Sequence, residues 1–154
     1  MRHNVGTRLI MIGMLSASIP LLTACSGLMS GTSALQGEWV LDSGSDTEGV
    51  FIDSVQPITL TFEGDSVNGQ APCNPYSGPA VRGPGAGVAG TISFGGLTRT
   101  EMGCAEREQN LLEGRYFDAL EAADRVQVSD DGETLELTGE SIFLSFERGE
   151  NREG

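Results

Sequence analysis

Short segments in which hydrophobic and polar residues alternate, separated by turns rich in glycine and aspartate, constrain the fold of this chain most strongly. Residues 58–62 are the clearest example, because their side chains alternate with a period of two and the Glu63-Gly64-Asp65 turn follows. Such a period predicts a β-strand with one buried face. Similar segments predict strands at 35–41, 67–71, 88–94, 126–128, 134–137 and 141–146.

Residues 106–123 have a helical period instead, with one apolar face that Leu111 and Ala119 widen. The centre of that face consists of Leu112, Tyr116, Leu120 and Ala123. Six or seven strands thus accompany one helix, and short turns join most neighbouring strands. The expected fold class is therefore α+β, a small and mostly antiparallel sheet with one helix packed on it.

The N-terminus carries a basic segment, residues 1–8, and then an apolar run, residues 9–22, that is too short for a comfortable membrane-spanning helix. This order is typical of a secretory signal peptide. Leu22-Thr23-Ala24-Cys25 resembles the bacterial lipobox, which implies cleavage before Cys25 and lipidation of that cysteine. The alternative is an ordinary signal peptide cleaved after Ala24, which leaves Cys25 as a free thiol.

These features divide the chain into four predicted parts: a lipoprotein signal peptide (1–24), a flexible tether of small residues (25–34), a folded domain (35–147) and a disordered tail (148–154). A protein built in this way is expected in the cell envelope, facing outside the cytoplasm. The lipid on Cys25 would be its membrane anchor.

Charge and composition exclude several function classes. After residue 24 the sequence has seven arginines, 22 acidic residues and neither lysine nor histidine, a net charge of −15 (seven minus 22). Such a charge repels phosphate backbones, so nucleic acid is not an expected partner. Without histidine and lysine, the domain cannot build a serine–histidine nucleophile, a histidine-ligated zinc site or a lysine Schiff base.

One pair of motifs is specific. Cys73-Asn74-x-Tyr76-x-Gly78 is followed by Thr100-x-Met102-x-Cys104, between an initial Leu35-x-Gly37-x-Trp39-x-Leu41 and a final Leu144-x-Phe146. In this order the motifs resemble the META domain, or HslJ-like, family over residues 35–146. The resemblance implies a compact, barrel-like α+β domain, found often on bacterial envelope lipoproteins and credited with stress or antibiotic tolerance. It names no catalytic residues, and we expect neither a cofactor nor a bound metal.

Cys73 and Cys104 have two interpretations, a structural disulfide and a reactive or metal-binding dithiol. Outside the cytoplasm the disulfide is the default. It would close a loop of roughly 32 residues and contribute about 3.7 kcal/mol in the chain-entropy model. Two reduced, partly buried thiols are the remaining alternative.

The other motif residues favour structural roles. Asn74 and Gly78 both suit a turn, in which the Asn74 side chain would bond its own backbone. Tyr76 can bury its ring while its hydroxyl finds a partner. Thr100 and Met102 are interpreted as a strand end, with Met102 filling the core. A ligand-binding role for Asn74 and Tyr76 is the alternative.

Asp42, Asp46 and Glu48 alternate in a segment predicted to be a solvated loop, for which weak calcium binding is the alternative. The leading functional hypothesis is a non-enzymatic, monomeric, lipid-anchored protein that binds or shields an unknown envelope protein or ligand. Two alternatives belong to other classes. One is a hydrolase with paired carboxylates, and the other is a protein inhibitor that presents residues 72–87 to an enzyme.

Overall fold

The computed structural model of the chain describes residues 32–85 and 88–149. The predicted signal peptide, Cys25, the first part of the tether and the last residues of the tail lie outside the described residues. Within the described ranges, no helix has the length and apolar character needed to cross a membrane.

Ten strands and two helices make up the described chain. In order they are α1 (Thr32–Leu35), β1 (Gly37–Asp46), β2 (Gly49–Val50), β3 (Thr59–Glu63), β4 (Ser66–Gln70), β5 (Pro75–Arg82), β6 (Ala89–Phe94), β7 (Thr98–Arg99), α2 (Arg107–Ala122), β8 (Arg125–Val128), β9 (Thr134–Thr138) and β10 (Phe143–Arg148).

Eight of these strands form a closed antiparallel barrel. Around the barrel the order is β1, β3, β4, β5, β6, β8, β9 and β10, and β10 pairs with β1 to close it. The short strands β2 and β7 are additions, paired with β1 and β5 respectively. Closure leaves these eight strands without a free edge, because each one pairs on both sides. The barrel-like, antiparallel fold with one long helix agrees with the prediction, although the strands outnumber the six or seven expected.

Strand β1 differs from its predicted course at both ends. Leu35, predicted to lie in the strand, belongs to α1, where its carbonyl accepts a hydrogen bond of 2.9 Å from Trp39 Nε1. The strand then continues to Asp46, through residues predicted to form a loop. Pairing with β10 explains the extension, since Ser43 and Gly44 lie opposite Ser145 and Leu144 after a bulge.

Strand β5 crosses the segment of prolines and glycines for which no strand is predicted. Its residues Pro75 to Pro79 pair with β4, and Ala80 to Arg82 pair with β6. Pro79, which has no N–H to donate, therefore lies where the strand changes partner. Residues 75–82 of the segment 72–87 are thus built into the barrel.

Helix α2 covers most of the predicted range and buries the predicted face. Leu112, Tyr116 and Leu120 are at most 1% exposed and belong to the same core as the barrel residues Trp39 and Leu60. Leu111 was predicted to widen this face but lies on the exposed side of the helix.

The C-terminus is ordered further than predicted. Arg148, predicted as the first residue of the disordered tail, belongs to β10 together with Glu147. The guanidinium of Arg148 lies 4.1 Å above the Trp39 ring and donates hydrogen bonds to the carbonyls of Gly132 and Ala34. A side chain at the predicted tail boundary therefore ties the two ends of the described chain together.

Candidate functional site

The family motifs meet at a buried carboxylate that the motifs do not contain. Glu113 lies on α2 and is only 8% exposed. Its Oε2 accepts hydrogen bonds from the backbone N–H groups of Cys73 (2.8 Å) and Asn74 (2.9 Å), and its Oε1 accepts one from Asn74 Nδ2 (2.7 Å). Three donors compensate the cost of burying this polar group.

Asn74 connects this carboxylate to the second motif. Its Nδ2 also donates to the Met102 carbonyl (2.8 Å), while its Oδ1 accepts from Thr100 Oγ1 (2.6 Å) and from the Met102 N–H (2.8 Å). The prediction that the Asn74 side chain bonds its own backbone is therefore wrong. The amide is instead the link between two chain segments, and we call the set Cys73, Asn74, Thr100, Met102 and Glu113 the motif network.

Met102 was predicted to fill the core, and the structure contradicts this. Its side chain is 58% exposed, and its backbone N–H and carbonyl make the contacts with Asn74. Thr100 lies just beyond the end of β7, as expected for a strand end, and holds Asn74 through its hydroxyl.

The predicted disulfide is present in the structure. Cys73 and Cys104 are bonded, with their Cα atoms 5.4 Å apart. The sulfurs and a Glu113 carboxylate oxygen lie within 4.8 Å of one another, a spacing found in metal sites. With the sulfurs joined to each other, neither is the thiolate that a metal would need. The disulfide thus closes the motif network covalently.

Tyr76 and Gly78 complete the first motif inside the barrel wall. As predicted, the Tyr76 ring is buried and its hydroxyl has partners, the Thr59 carbonyl at 2.9 Å and the Tyr116 hydroxyl at 2.8 Å. Burial raises the pKa of both tyrosines, so both stay protonated. Gly78 was predicted to belong to a turn, but it lies inside β5 opposite Val67. It is needed there for close packing, because a Cβ would lie 2.8 Å from Leu97 Cδ2 and 3.0 Å from Leu97 Cα.

A second attachment to α2 lies outside the motifs, and the sequence analysis missed it. Residues 49–55, which we call the strap, run along the helix. Gln109, buried on α2, accepts a hydrogen bond from the Val55 N–H (3.2 Å) through Oε1 and donates one to the Asp53 carbonyl (3.1 Å) through Nε2. Gln109 and Glu113 share a helical face with Tyr116. Two polar residues four positions apart in an otherwise apolar helical face are the sequence signal for the attachment of the motif segments and of the strap to α2.

Arg115 holds the other end of the strap. Its guanidinium binds Asp46 through two hydrogen bonds, Nε to Oδ2 (2.8 Å) and Nη2 to Oδ1 (2.6 Å), donates to the Gly49 carbonyl and lies 4.7 Å above the Phe51 ring. Its hydrogen bonds lower the pKa of Asp46. Asp46 belongs to the segment considered for weak calcium binding, but its carboxylate is already paired.

A groove of about 300 Å³ lies between the strap and β1. Leu41, Phe51 and Ile58 form its apolar part, and the acidic residues Asp42 and Asp53 line it as well. The groove opens to the surface, in contrast to the closed motif network.

Comparisons with known proteins identify a matching family and solved structures of similar fold. The model of the META domain family matches residues 32–150. An NMR structure of a protein from Burkholderia xenovorans is 26% identical, with a TM-score of 0.63 over 91% of this chain and 97% of that chain. A second NMR structure is 20% identical, with a TM-score of 0.54 over 79% and 96%.

A crystal structure at 1.00 Å resolution of a DUF4847 family protein from Bacteroides vulgatus is 12% identical, with a TM-score of 0.50 over 76% and 95% of the two chains. At the identities of these last two structures, the likeness shows the fold alone. No curated protein matches the chain. The family match covers the whole barrel, the helix and both motifs, and the chain therefore belongs to the META domain family.

Proposed function

We propose that this protein is a lipid-anchored component of the bacterial cell envelope and that its META domain has a binding or structural role, without catalysis. The anchor is Cys25, on the strength of the signal-peptide pattern and the lipobox-like Leu22-Thr23-Ala24-Cys25. A disulfide between Cys73 and Cys104 is what an oxidising compartment outside the cytoplasm allows.

The observation that carries the non-enzymatic part is that the polar groups of Glu113 and Asn74 form hydrogen bonds within the motif network. Both oxygens of Glu113 accept hydrogen bonds, and the Asn74 amide uses both its oxygen and its nitrogen. A general base needs a free lone pair facing a substrate, whereas the buried side chains of Glu113 and Asn74 form hydrogen bonds with neighbouring segments of the chain. The motif residues therefore stabilise the fold by joining segments that are distant in the sequence.

The other two function classes gain no support. An inhibitor would need residues 72–87 as a projecting loop, but residues 75–82 of this segment form β5 and pair with neighbouring strands. A hydrolase would need two carboxylates around a cleft, one of them buried enough to act as a general acid. Asp42 and Asp53 line the groove but are both exposed, and the buried Glu113 forms its hydrogen bonds within the motif network.

Intact mass spectrometry of the protein extracted from membranes tests the anchor. We expect the mass of the chain from Cys25 onward plus acyl groups, with two cysteine alkylations only after reduction. The variant Cys25→Ser should lose the acyl groups and leave the membrane fraction. An unacylated wild-type protein, or alkylation without reduction, would refute the proposed location.

The biological role that we propose is tolerance of envelope stress or of antibiotics. A deletion strain should be more sensitive than its parent, and the wild-type gene should restore growth while the Cys25→Ser gene should not. Equal growth of the deletion strain and its parent across envelope-active compounds would contradict this role. A monomer is expected because a net charge of −15 opposes self-association, and light scattering would measure its mass.

A further inference from the structure

We infer that the strap and its groove form a binding surface for a cationic, amphipathic polypeptide segment of a partner protein. This inference deepens the proposed binding role and rests on it. It concerns a part of the domain that the family motifs do not include.

The strap is attached to α2 at both ends, and several of its side chains are exposed to solvent. Arg115 fixes its beginning at Gly49 and Phe51, and Gln109 fixes its end at Asp53 and Val55. The backbone, Phe51 and the Ser54 hydroxyl supply the contacts with α2, so Val50, Ile52 and Val55 keep their side chains free of it. A rigid support of this kind lowers the entropy cost of binding.

The free side chains are apolar. Val50 is 76% exposed, Ile52 50% and Val55 76%, and Leu111, on α2 between the two attachment residues, is 57% exposed. Eight large hydrophobic side chains are exposed in the described part of the chain; three of them lie on the strap, and Leu111 lies on the helix that holds it. Exposed apolar groups concentrated on one surface are typical of an interaction site.

The groove next to the strap adds a requirement for positive charge. Ile52 lines it together with Leu41 and Phe51, and the exposed acidic residues Asp42 and Asp53 belong to the same lining. A lysine or arginine side chain matches this combination, because its aliphatic stem can lie on apolar surface while its charged end meets a carboxylate. The volume of about 300 Å³ leaves room for one such side chain.

Charge also selects among possible occupants. Arg115 is paired with Asp46 and lies 3.8 Å from the Glu48 carboxylate, and the first turn of α2 carries one exposed base, Arg107, and one exposed acid, Glu108. The surroundings are therefore acidic on balance, as is the whole domain. A second copy of this chain and an anionic membrane are both repelled, whereas a cationic segment is attracted. The occupant that we infer is therefore a polypeptide segment with alternating basic and apolar residues.

Fluorescence anisotropy with the full-length protein, purified in a non-ionic detergent, tests the inference. The probe is a short labelled peptide of alternating lysine and leucine, and the comparison peptides replace lysine by glutamate or leucine by serine. We expect saturable binding of the lysine–leucine peptide, weakened by salt, and roughly tenfold weaker binding of each comparison peptide.

Paired variants locate the surface. Ile52→Ser with Val55→Ser should weaken binding roughly tenfold, whereas Val81→Ser with Val88→Ser, which removes equally exposed apolar groups elsewhere, should leave it unchanged. Asp42→Asn with Asp53→Asn should weaken binding roughly fivefold and reduce its salt dependence, in contrast to Asp124→Asn with Asp130→Asn.

Equal effects of the strap variants and the control variants would show charge attraction without a site and overturn the inference, as would equal binding of all three peptides. Binding to anionic vesicles, or a dimer that the strap variants dissociate, would replace the inferred partner with a membrane or a second copy. Because the assay does not depend on the anchor, its failure is distinguishable from a failure of lipidation.

Discussion

Two segments of the barrel are fastened to the same helix, and they differ in what they leave exposed. The motif network attaches the Cys73 and Thr100–Cys104 segments to Glu113, turns its polar groups inward and adds a disulfide. The strap is attached to Gln109 and Arg115 by hydrogen bonds without a disulfide, and it keeps Val50, Ile52 and Val55 in solvent. The comparison teaches that the residues that identify the family stabilise the fold, whereas the surface suited to a partner has no motif.

The largest effect is expected at the disulfide. Cys73→Ser with Cys104→Ser should lower the free energy of unfolding by about 3.7 kcal/mol, because the bond restricts a loop with a sequence separation of 31 in the unfolded chain. Urea denaturation measures this change, and reduced wild-type protein is the control. Peptide binding to the strap should persist below the denaturation range. An unchanged denaturation midpoint would mean that the disulfide contributes nothing.

Glu113→Ala should have the next largest effect. The substitution leaves three N–H donors in the interior without an acceptor, which should cost on the order of 3 kcal/mol of unfolding free energy. Glu121→Ala, on the exposed side of the same helix, is the matched control and should change stability little. Equal denaturation curves for the two variants would show that the Glu113 hydrogen bonds do not stabilise the fold.

Gln109→Ala tests the strap in the same way and should cost less, roughly 1–2 kcal/mol. Its hydrogen bonds reach Asp53 and Val55, in a half-exposed segment where water can replace part of what is lost. Hydrogen exchange should speed up at the Val55 amide while the Cys73 and Asn74 amides stay protected. Faster exchange in both segments would mean that the two attachments are coupled.

The smallest effect is a dependence on pH at the other end of the strap. Arg115 holds the pKa of Asp46 below its usual 3.8, so the pair contributes stability that is complete above this pH and is lost as the pH falls through the lowered value. Asp46→Asn should therefore be less stable than wild type by about 1 kcal/mol at neutral pH, with the difference shrinking below about pH 4. A difference that is constant with pH would contradict the ion pair, and Asp124→Asn serves as the control.

Much of the fold could be predicted from local sequence. Residues 59–62 and 67–70 alternate and form β3 and β4, and the helical period gives α2 with Leu112, Tyr116 and Leu120 buried. The disulfide was predicted from the compartment and is present. Each of these predictions rests on neighbouring residues or on a simple pairing rule, for which the sequence holds enough information.

The candidate site was less predictable. Asn74 and Thr100 were expected to serve their own turn and strand end, Met102 to fill the core, and Glu113 and Gln109 were not singled out. The structure shows that the first two bond each other, that Met102 uses its backbone, and that both helix residues hold distant segments. Hydrogen-bond partners that are 26 to 56 positions apart leave no periodic signal in the chain.

The sequence by itself determined the antiparallel strand and helix content, the family and the acidic charge, because alternation, motif spacing and composition are properties of the chain. Tertiary structure alone decided that β10 closes the barrel against β1, that Arg148 stacks on Trp39, and that the strap remains exposed beside an acidic groove. These features depend on which distant segments come together, and burial of the barrel core selects that arrangement through contacts that no single segment contains.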